Sequence, residues 1–214
     1  MHSSDLLHSV ADIQQYIDEF VQPLATSAPV FLLGHSIGGL LASLVAASAP
    51  AGQLAAVALT GPCIALGGAM DDPVTKAVLP LAASLFPKLR VAGPPAEHLA
   101  HSRAVCRQYT RDPLNSGSCT LSFVTALLRA QQQALERAAA VTAPVLVLHG
   151  AEDAVCAVSG SEALVAQLPA AQLQMVPGGK HEILNDTGFE KHLTSILSWF
   201  QQHADGVGSD SASG

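Results

Sequence analysis

The ten residues Val30-Phe31-Leu32-Leu33-Gly34-His35-Ser36-Ile37-Gly38-Gly39 decide the fold of this chain. A short apolar run leads into Gly-x-Ser-x-Gly, and a second apolar run follows over residues 40–47. The order of strand, sharp turn and helix predicts a nucleophile elbow, a turn that holds one serine hydroxyl clear of the backbone. Ser36 is therefore the candidate nucleophile.

The residues beside Ser36 match what such a turn requires. The serine of an elbow is strained, so we expect the neighbours two residues away, Gly34 and Gly38, to be small for steric reasons. The helix that follows directs its N-terminal amides and its dipole toward developing negative charge. The backbone N–H of Ile37 is the predicted oxyanion donor, and His35 completes the elbow.

Composition limits the class of protein and its partners. Of 214 residues, 49% are hydrophobic and 13% charged, which fits one domain whose strands and helices are buried on both sides. A net charge of −7 without a Lys/Arg cluster argues against a nucleic-acid partner. Residues 1–5 show no start of a signal peptide, and Ser36 and Pro50 interrupt the very apolar region 30–70. We therefore expect a cytoplasmic or peripheral membrane location without a transmembrane span.

The cysteines and histidines do not indicate a metal centre. Four scattered cysteines form no Cys-x-x-Cys pair: Cys63, Cys106, Cys119 and Cys156. His98 and His101 lie three residues apart, but no carboxylate or cysteine follows in step. We predict no metal site.

Strands and helices alternate along the chain. Apolar segments at 30–33, 54–59, 145–148 and 173–176 are predicted strands, and helical periodicity marks 6–24, 159–167 and 187–203. This alternation predicts a parallel sheet with right-handed crossovers. The Gly/Ser/Asp-rich residues 204–214 are a predicted disordered tail after a single domain over 1–203.

A long insertion separates the second and third predicted strands. Residues 61–143 show no clear strand pattern but contain helix-like pieces at 74–86 and 121–140. An excursion of this length predicts a functional cap or lid. Its most apolar part, 78–86, either lines the entrance or touches a membrane surface, or simply packs on the sheet domain.

The partners that a serine nucleophile needs follow in the right order. A base must deprotonate the serine, and a carboxylate must orient the base. Asp153 and its neighbour Glu152 follow the third strand, and His181 follows the fourth through a glycine turn. Both positions lie at carboxyl ends of parallel strands, where open sheets place their sites. His181 is the candidate base, and either acidic residue is a candidate acid.

Three sequence blocks resemble those of the monoacylglycerol lipase and lysophospholipase group of α/β-hydrolases, which is also described as serine aminopeptidase S33-like. They are residues 34–39, 149–153 and 181–185, and the stretch 109–114 is similar to part of that group's cap. The resemblance implies an α/β-hydrolase fold with a helical cap, and it assigns Ser36 as nucleophile, Asp153 as acid and His181 as base. It also implies hydrolysis of monoacylglycerols, lysolipids or related carboxylic esters without a metal or organic cofactor.

One departure from that group is large. Its members carry further strands before the segment that begins here, together with a His-Gly loop that supplies a second oxyanion N–H. We therefore expect an incomplete parallel sheet of about four strands with its N-terminal strands missing, and a bare edge at residues 30–33. Two alternatives stay open: a truncated, weakly active or inactive remnant, and a thioesterase or peptidase of the same fold. The expected partner is a small lipid ester, with membrane contact through the cap; the oligomeric state is left open.

Overall fold

The computed structural model describes residues 6–68 and 72–204. In this part of the chain the strands are β1 (Phe31–His35), β2 (Ala56–Thr60), β3 (Arg90–Ala92), β4 (Ser118–Thr120), β5 (Val145–Gly150) and β6 (Ala171–Val176). The α-helices are α1 (Leu6–Tyr16), α2 (Gln22–Ala25), α3 (Ile37–Ser48), α4 (Pro73–Leu85), α5 (Arg103–Arg111), α6 (Leu121–Arg137), α7 (Val158–Val165) and α8 (Phe189–Ala204). A π-helical turn, Ile17–Val21, joins α1 to α2.

The central sheet has the predicted parallel arrangement. Its four strands lie in the order β1-β2-β5-β6, and every pair is parallel. The carboxyl ends of β1, β5 and β6 therefore meet at one edge of the sheet. Within the described residues β1 is an outer strand, and its Leu33 side chain is 46% exposed.

Alternating side chains bury both faces of the sheet. Val57 and Leu59 of β2 pack into the larger core cluster with α1, α3 and α6. Ala56 and Ala58 face the other way, where Trp199 of α8 packs and donates its indole N–H to the Val57 carbonyl at 3.2 Å. Small alanines on that face leave room for the indole ring, so helices cover both sides of a mostly apolar strand.

The insertion between β2 and β5 differs from its prediction in one respect. The expected helices are present as α4 and α6, but Arg90–Ala92 and Ser118–Thr120 also form a two-stranded antiparallel sheet. Three-residue strands are too short to show an alternating pattern in sequence. Their pairing is supported by Arg90, whose guanidinium donates to the Ser118 hydroxyl and carbonyl.

Two further expectations concern the membrane and the tail. No helix among the described residues is both long enough and apolar enough to cross a bilayer. The predicted tail lies outside the described residues except for Ala204, which ends α8.

Candidate active site

The structure brings the three predicted residues into one hydrogen-bonded chain. Ser36 lies between β1 and α3, Asp153 follows β5, and His181 follows β6. The Ser36 Oγ lies 2.9 Å from His181 Nε2, and His181 Nδ1 lies 2.7 Å from Asp153 Oδ2. The residues come from distant parts of the sequence, and the sheet edge alone brings them together.

Ser36 has the strained backbone that an elbow requires. Its φ of 54° and ψ of −121° place a non-glycine residue at positive φ, which costs about 1–3 kcal/mol. Backbone hydrogen bonds compensate for this cost: the Ser36 N–H donates to the Thr60 carbonyl at 3.0 Å. The Ser36 carbonyl accepts the Cys63 N–H at 2.9 Å.

The steric demand of the elbow falls on Gly34, as predicted, but on Gly39 instead of Gly38. A Cβ on Gly34 would lie 2.5 Å from the Gly38 carbonyl oxygen and 2.7 Å from the Ala42 Cβ. A Cβ on Gly39 would lie 2.9 Å from the Cβ of Pro62. On Gly38 a Cβ would meet nothing within 4 Å among the described residues outside the backbone of its own helix turn. The expectation that Gly38 must be small is therefore wrong, and Gly39 takes its place because Pro62 packs against it.

Asp153, and not Glu152, faces the histidine. Its Oδ1 accepts the N–H groups of Val155 and Cys156 at 2.8 and 2.9 Å. Burial alone would raise the pKa of Asp153, but hydrogen bonds from His149 and His181 outweigh burial and lower it well below its usual range. Glu152 is exposed. Asp153 is thus an ionised carboxylate at neutral pH.

His149 contacts the candidate acid, Asp153. Its ring is fully buried, with Nδ1 2.7 Å from the Ser161 hydroxyl and Nε2 3.0 Å from the Cys156 carbonyl. The same Nε2 lies 3.2 Å from Asp153 Oδ2. Local sequence reasoning does not predict this contact between His149 and Asp153.

His35 and Glu182 form a hydrogen-bonded pair beside His181, the candidate base. His35 Nε2 lies 3.2 Å from Glu182 Oε1, and the rings of His35 and His181 have centroids 4.9 Å apart. The hydrogen bond from His35 lowers the pKa of Glu182 to about 2. Burial acts to lower the pKa of His35, but Glu182 reverses the effect and raises it. Glu182 thus favours the charged form of His35 beside His181 and compensates that charge when His35 is protonated.

Among the described residues, ligand atoms of His35, His181 and Glu182 lie within 4.8 Å of one another, as in a metal site. The nitrogens of His35 already bond Thr60 and Glu182. Both nitrogens of His181 are engaged in the chain described above. Because protein partners satisfy these atoms, the arrangement needs no cation.

Ile37, the predicted oxyanion donor, begins the helix beside Ser36. It is the first residue of α3, and the first N–H groups of a helix have no intrahelical partner. Ile37 also lines the cavity that contains Ser36 and His181. The oxyanion role of the Ile37 N–H stays a prediction of the elbow motif.

A largely apolar cavity of about 520 Å³ opens over Ser36. Its walls come from the loop after β2, the loop after β5 and the insertion, and they include Leu66, Val91, Leu99, Val124 and Leu127. Tyr109 and His98 add polar groups. Residues of the insertion thus line the cavity over Ser36, the candidate nucleophile.

Asp186 lies in the loop that carries His181, and it forms hydrogen bonds to the insertion. One carboxylate oxygen accepts the N–H of His101 at 2.7 Å and lies 2.8 Å from its Nδ1. The other accepts the Ser102 N–H at 2.9 Å. The sequence offers no signal for this contact, since 85 positions separate His101 from Asp186.

A serine on a strained strand-to-helix turn, followed by an acid and a histidine after later strands of a parallel sheet, defines an α/β-hydrolase. The chain belongs to the family described as serine aminopeptidase, S33 (Hydrolase_4), whose model matches residues 1–188.

Relatives and solved structures agree with this family. The chain is 30% identical over 201 residues to a monoacylglycerol lipase of Mycolicibacterium smegmatis, covering 90% of this chain and 71% of that protein. It is 29% identical over 168 residues to human monoglyceride lipase, covering 76% of this chain and 53% of the human protein. A soluble variant of Saccharomyces cerevisiae monoglyceride lipase, solved with a substrate analog, superposes with a TM-score of 0.81 at 21% identity, covering 94% of this chain and 71% of that one. The Paleococcus ferrophilus monoacylglycerol lipase gives a TM-score of 0.77 at 24% identity, over 91% and 76% of the two chains.

Proposed function

We propose that this chain is a serine hydrolase that cleaves the carboxylic ester bond of monoacylglycerol or lysolipid-like substrates through an acyl-enzyme. The observation that carries the proposal is the hydrogen-bonded chain from Ser36 through His181 to Asp153. Relatives that are monoacylglycerol or monoglyceride lipases support the substrate class.

The geometry supports the following reaction. His181 Nε2, 2.9 Å from the Ser36 Oγ, takes the hydroxyl proton as Oγ attacks the ester carbonyl. The N–H of Ile37 stabilises the oxyanion of the tetrahedral intermediate. His181 then returns the proton to the leaving alcohol, and the acyl group remains on Ser36.

Deacylation repeats these steps with water as the nucleophile. His181 takes a proton from the water as the water oxygen attacks the acyl carbon. The bond between the acyl carbon and the Ser36 Oγ then breaks, and His181 returns the proton to Oγ as the fatty acid leaves. Asp153 stays ionised throughout, holds the Nδ1–H of His181 and stabilises the imidazolium that forms in both halves.

The cavity favours a lipid ester over a peptide. Apolar side chains such as Leu66 and Leu127 form most of its wall and suit an acyl chain. An aminopeptidase needs an acidic group that is free to bind the substrate's terminal amine. The acidic residue lining this cavity, Glu182, is already paired with His35.

We also propose that the cap touches a membrane surface, as a peripheral enzyme would. Val74, Val78, Leu81 and Leu85 lie at helical spacing along one side of α4, and each is at least 55% exposed. Leu79 and Ala83, on the other side of α4, are buried against Leu121 and Val124 of α6. An exposed apolar stripe of this kind marks a site of interaction with a lipid or apolar surface.

The substrate class is tested by turnover. Purified chain is given 1-monooleoylglycerol, lysophosphatidylcholine, an oleoyl thioester and an aminoacyl peptide, and product release is measured for each. We expect the two lipid esters to be hydrolysed and Ser36→Ala to be inactive. Preferential cleavage of the thioester or the peptide would replace the proposed substrate, and a folded chain without turnover of any substrate would indicate a catalytically inactive remnant.

A further inference from the structure

One carboxylate that the proposed reaction does not use lies where the insertion meets the loop that carries His181. Asp186, in that loop, is 7% exposed. Its Oδ2 accepts the His101 N–H at 2.7 Å, and its Oδ1 accepts the N–H groups of Ser102 and Thr187 at 2.9 and 2.8 Å. Asp186 therefore holds two consecutive backbone amides of the insertion.

The insertion segment next to these amides forms part of the wall of the cavity over the nucleophile. Residues 91–95, His98 and Leu99 line that cavity. Leu99 supplies apolar surface there and is 3% exposed. Only Ala100 separates Leu99 from His101, so the position of Leu99 depends on where the His101 amide is held.

Two further bonds join the same segment to the loop of His181. The Glu182 N–H donates to the Leu99 carbonyl at 2.8 Å, and the Lys180 ammonium donates to the Glu97 carbonyl at 2.6 Å. Asp186 adds a buried, charged acceptor to this junction. A hydrogen bond from a backbone N–H to a carboxylate is roughly twice as strong as one between neutral groups, so we expect Asp186 to contribute most to holding the segment.

An uncharged side chain of the same shape could not replace Asp186. Burial alone would raise the pKa of Asp186, but the N–H groups of His101, Thr187 and Ser102 lower it, so the carboxylate is ionised at neutral pH. An asparagine has one acceptor oxygen, and its NH2 group would turn hydrogens toward N–H donors on the other side. Asp186→Asn therefore releases either the His101 amide or the Ser102 amide while it keeps the side-chain volume.

We propose that Asp186 is a positioning residue that sets the preference of the site for long acyl chains, because it holds the cavity wall at Leu99 in place. This preference rests on the proposed function, whereas the anchoring of the wall does not. The hydrogen-bonded chain from Ser36 to Asp153 does not include Asp186. An acetyl ester needs that chain but has no methylene groups to place along the wall, whereas a decanoyl ester bound with its carbonyl at Ser36 extends along it.

The test compares p-nitrophenyl decanoate with p-nitrophenyl acetate, which share one leaving group. In Asp186→Asn we expect kcat/KM for the decanoate to fall by about tenfold, which corresponds to lost contact with about two methylene groups. For the acetate we expect a fall of less than about twofold, because the reacting groups stay in place.

Amide hydrogen exchange gives a second readout that needs no catalysis. A peptide that contains the His101 and Ser102 amides should exchange about tenfold faster in Asp186→Asn than in the parent, because one of these amides loses its acceptor.

Two more variants complete the test. His101→Ala removes the imidazole, whose Nδ1 lies 2.8 Å from Asp186 Oδ2, but keeps the backbone amide. It should lower the ratio of decanoate to acetate kcat/KM by less than Asp186→Asn does, and it decides the proposal if Asp186→Asn does not fold. Asp72→Asn is the matched control, because Asp72 accepts the Thr75 N–H within the start of α4 and asparagine caps a helix equally well. It should match the parent in both readouts.

A fall in kcat/KM that is equal for the two esters would overturn the proposal, because Asp186 would then act on the whole fold or on His181 instead of the wall. So would an unchanged ratio of the two values, or an unchanged exchange rate at His101 and Ser102. If the folded parent turns over neither ester, the proposed function fails instead, and the exchange rates alone decide whether Asp186 holds the wall.

Discussion

Gly34→Ala is the sharpest test of how the elbow is packed. The added Cβ would lie 2.5 Å from the Gly38 carbonyl oxygen, 2.7 Å from the Ala42 Cβ and 2.8 Å from the Gly39 Cα. All three atoms belong to the rigid start of α3, so no flexible side chain can turn away. Strand β1 and helix α3 would have to separate by several tenths of an ångström at the point where Ser36 is held.

The magnitude follows from the cost of overpacking. Forcing one extra carbon into a well-packed site costs about 1–3 kcal/mol, and three rigid contacts place this substitution at about 3 kcal/mol or more. For a chain of this size that loss lowers Tm by about 6–12 °C. Gly38→Ala is the matched control, because its Cβ meets open space among the described residues. Alanine favours the helix at position 38, so we expect Gly38→Ala to raise the free energy of unfolding by about 0.5–1 kcal/mol.

Urea unfolding and thermal melting of the parent and both variants measure these free energies of unfolding. The expected order of stability is Gly38→Ala, then the parent, then Gly34→Ala. The packing argument is refuted if Gly34→Ala melts within about 2 °C of the parent. It is also refuted if Gly38→Ala is destabilised as much as Gly34→Ala.

Four further outcomes are expected. The free energy of unfolding should be about 1 kcal/mol higher for Ser36→Gly than for Ser36→Ala, because only glycine removes the positive-φ strain. Equal stabilities in urea would contradict this. Asp153→Asn should lower kcat/KM for monooleoylglycerol by about 10³–10⁴ through the wrong histidine tautomer, while exposed Glu152→Gln should leave it unchanged; equal effects would contradict the choice of acid. Glu182→Gln should lower the free energy of unfolding by about 1 kcal/mol at pH 6 and by less at pH 9. The lowered pKa of Glu182 stabilises the fold above about pH 4.5, and the raised pKa of His35 adds stability that fades as the pH rises through that pKa. A loss that grows with pH would contradict this. Leu81→Asp, at a position 64% exposed on α4, should weaken binding to phosphatidylcholine vesicles in a sedimentation assay without changing Tm; unchanged binding would contradict membrane contact through α4.

The sequence predicted those parts of the site that depend on local order. A strand, a Gly-x-Ser-x-Gly turn and an apolar helix are contiguous, so the strained turn at Ser36 could be predicted from neighbouring residues alone. Asp153 and His181 each follow a strand of a parallel sheet, and topology places all such positions on one edge. Chain order was therefore sufficient to expect that Ser36, His181 and one of two neighbouring acids meet, whereas the choice of Asp153 over Glu152 came from the family resemblance.

What the sequence could not predict depends on contacts between distant segments. Gly39 is constrained by Pro62, which arrives from the loop after β2, whereas local reasoning placed that constraint on Gly38. Asp186 accepts a hydrogen bond from the Ser102 N–H just before α5, and no periodic pattern encodes a single contact between residues so far apart in the sequence. The two-stranded sheet of β3 and β4 was missed because three-residue strands carry almost no pattern.

Covalent labelling of Ser36 tests the central claim most directly. The chain as printed is expressed, shown to be folded by its thermal melt, and incubated with a fluorophosphonate probe, and the labelled peptide is identified by mass spectrometry. We expect a single adduct on Ser36 that is lost in Ser36→Ala and forms much more slowly in His181→Ala, since the imidazole 2.9 Å away activates the hydroxyl. Folded protein that takes up no probe at Ser36, or that is labelled equally well in Ser36→Ala, would contradict it.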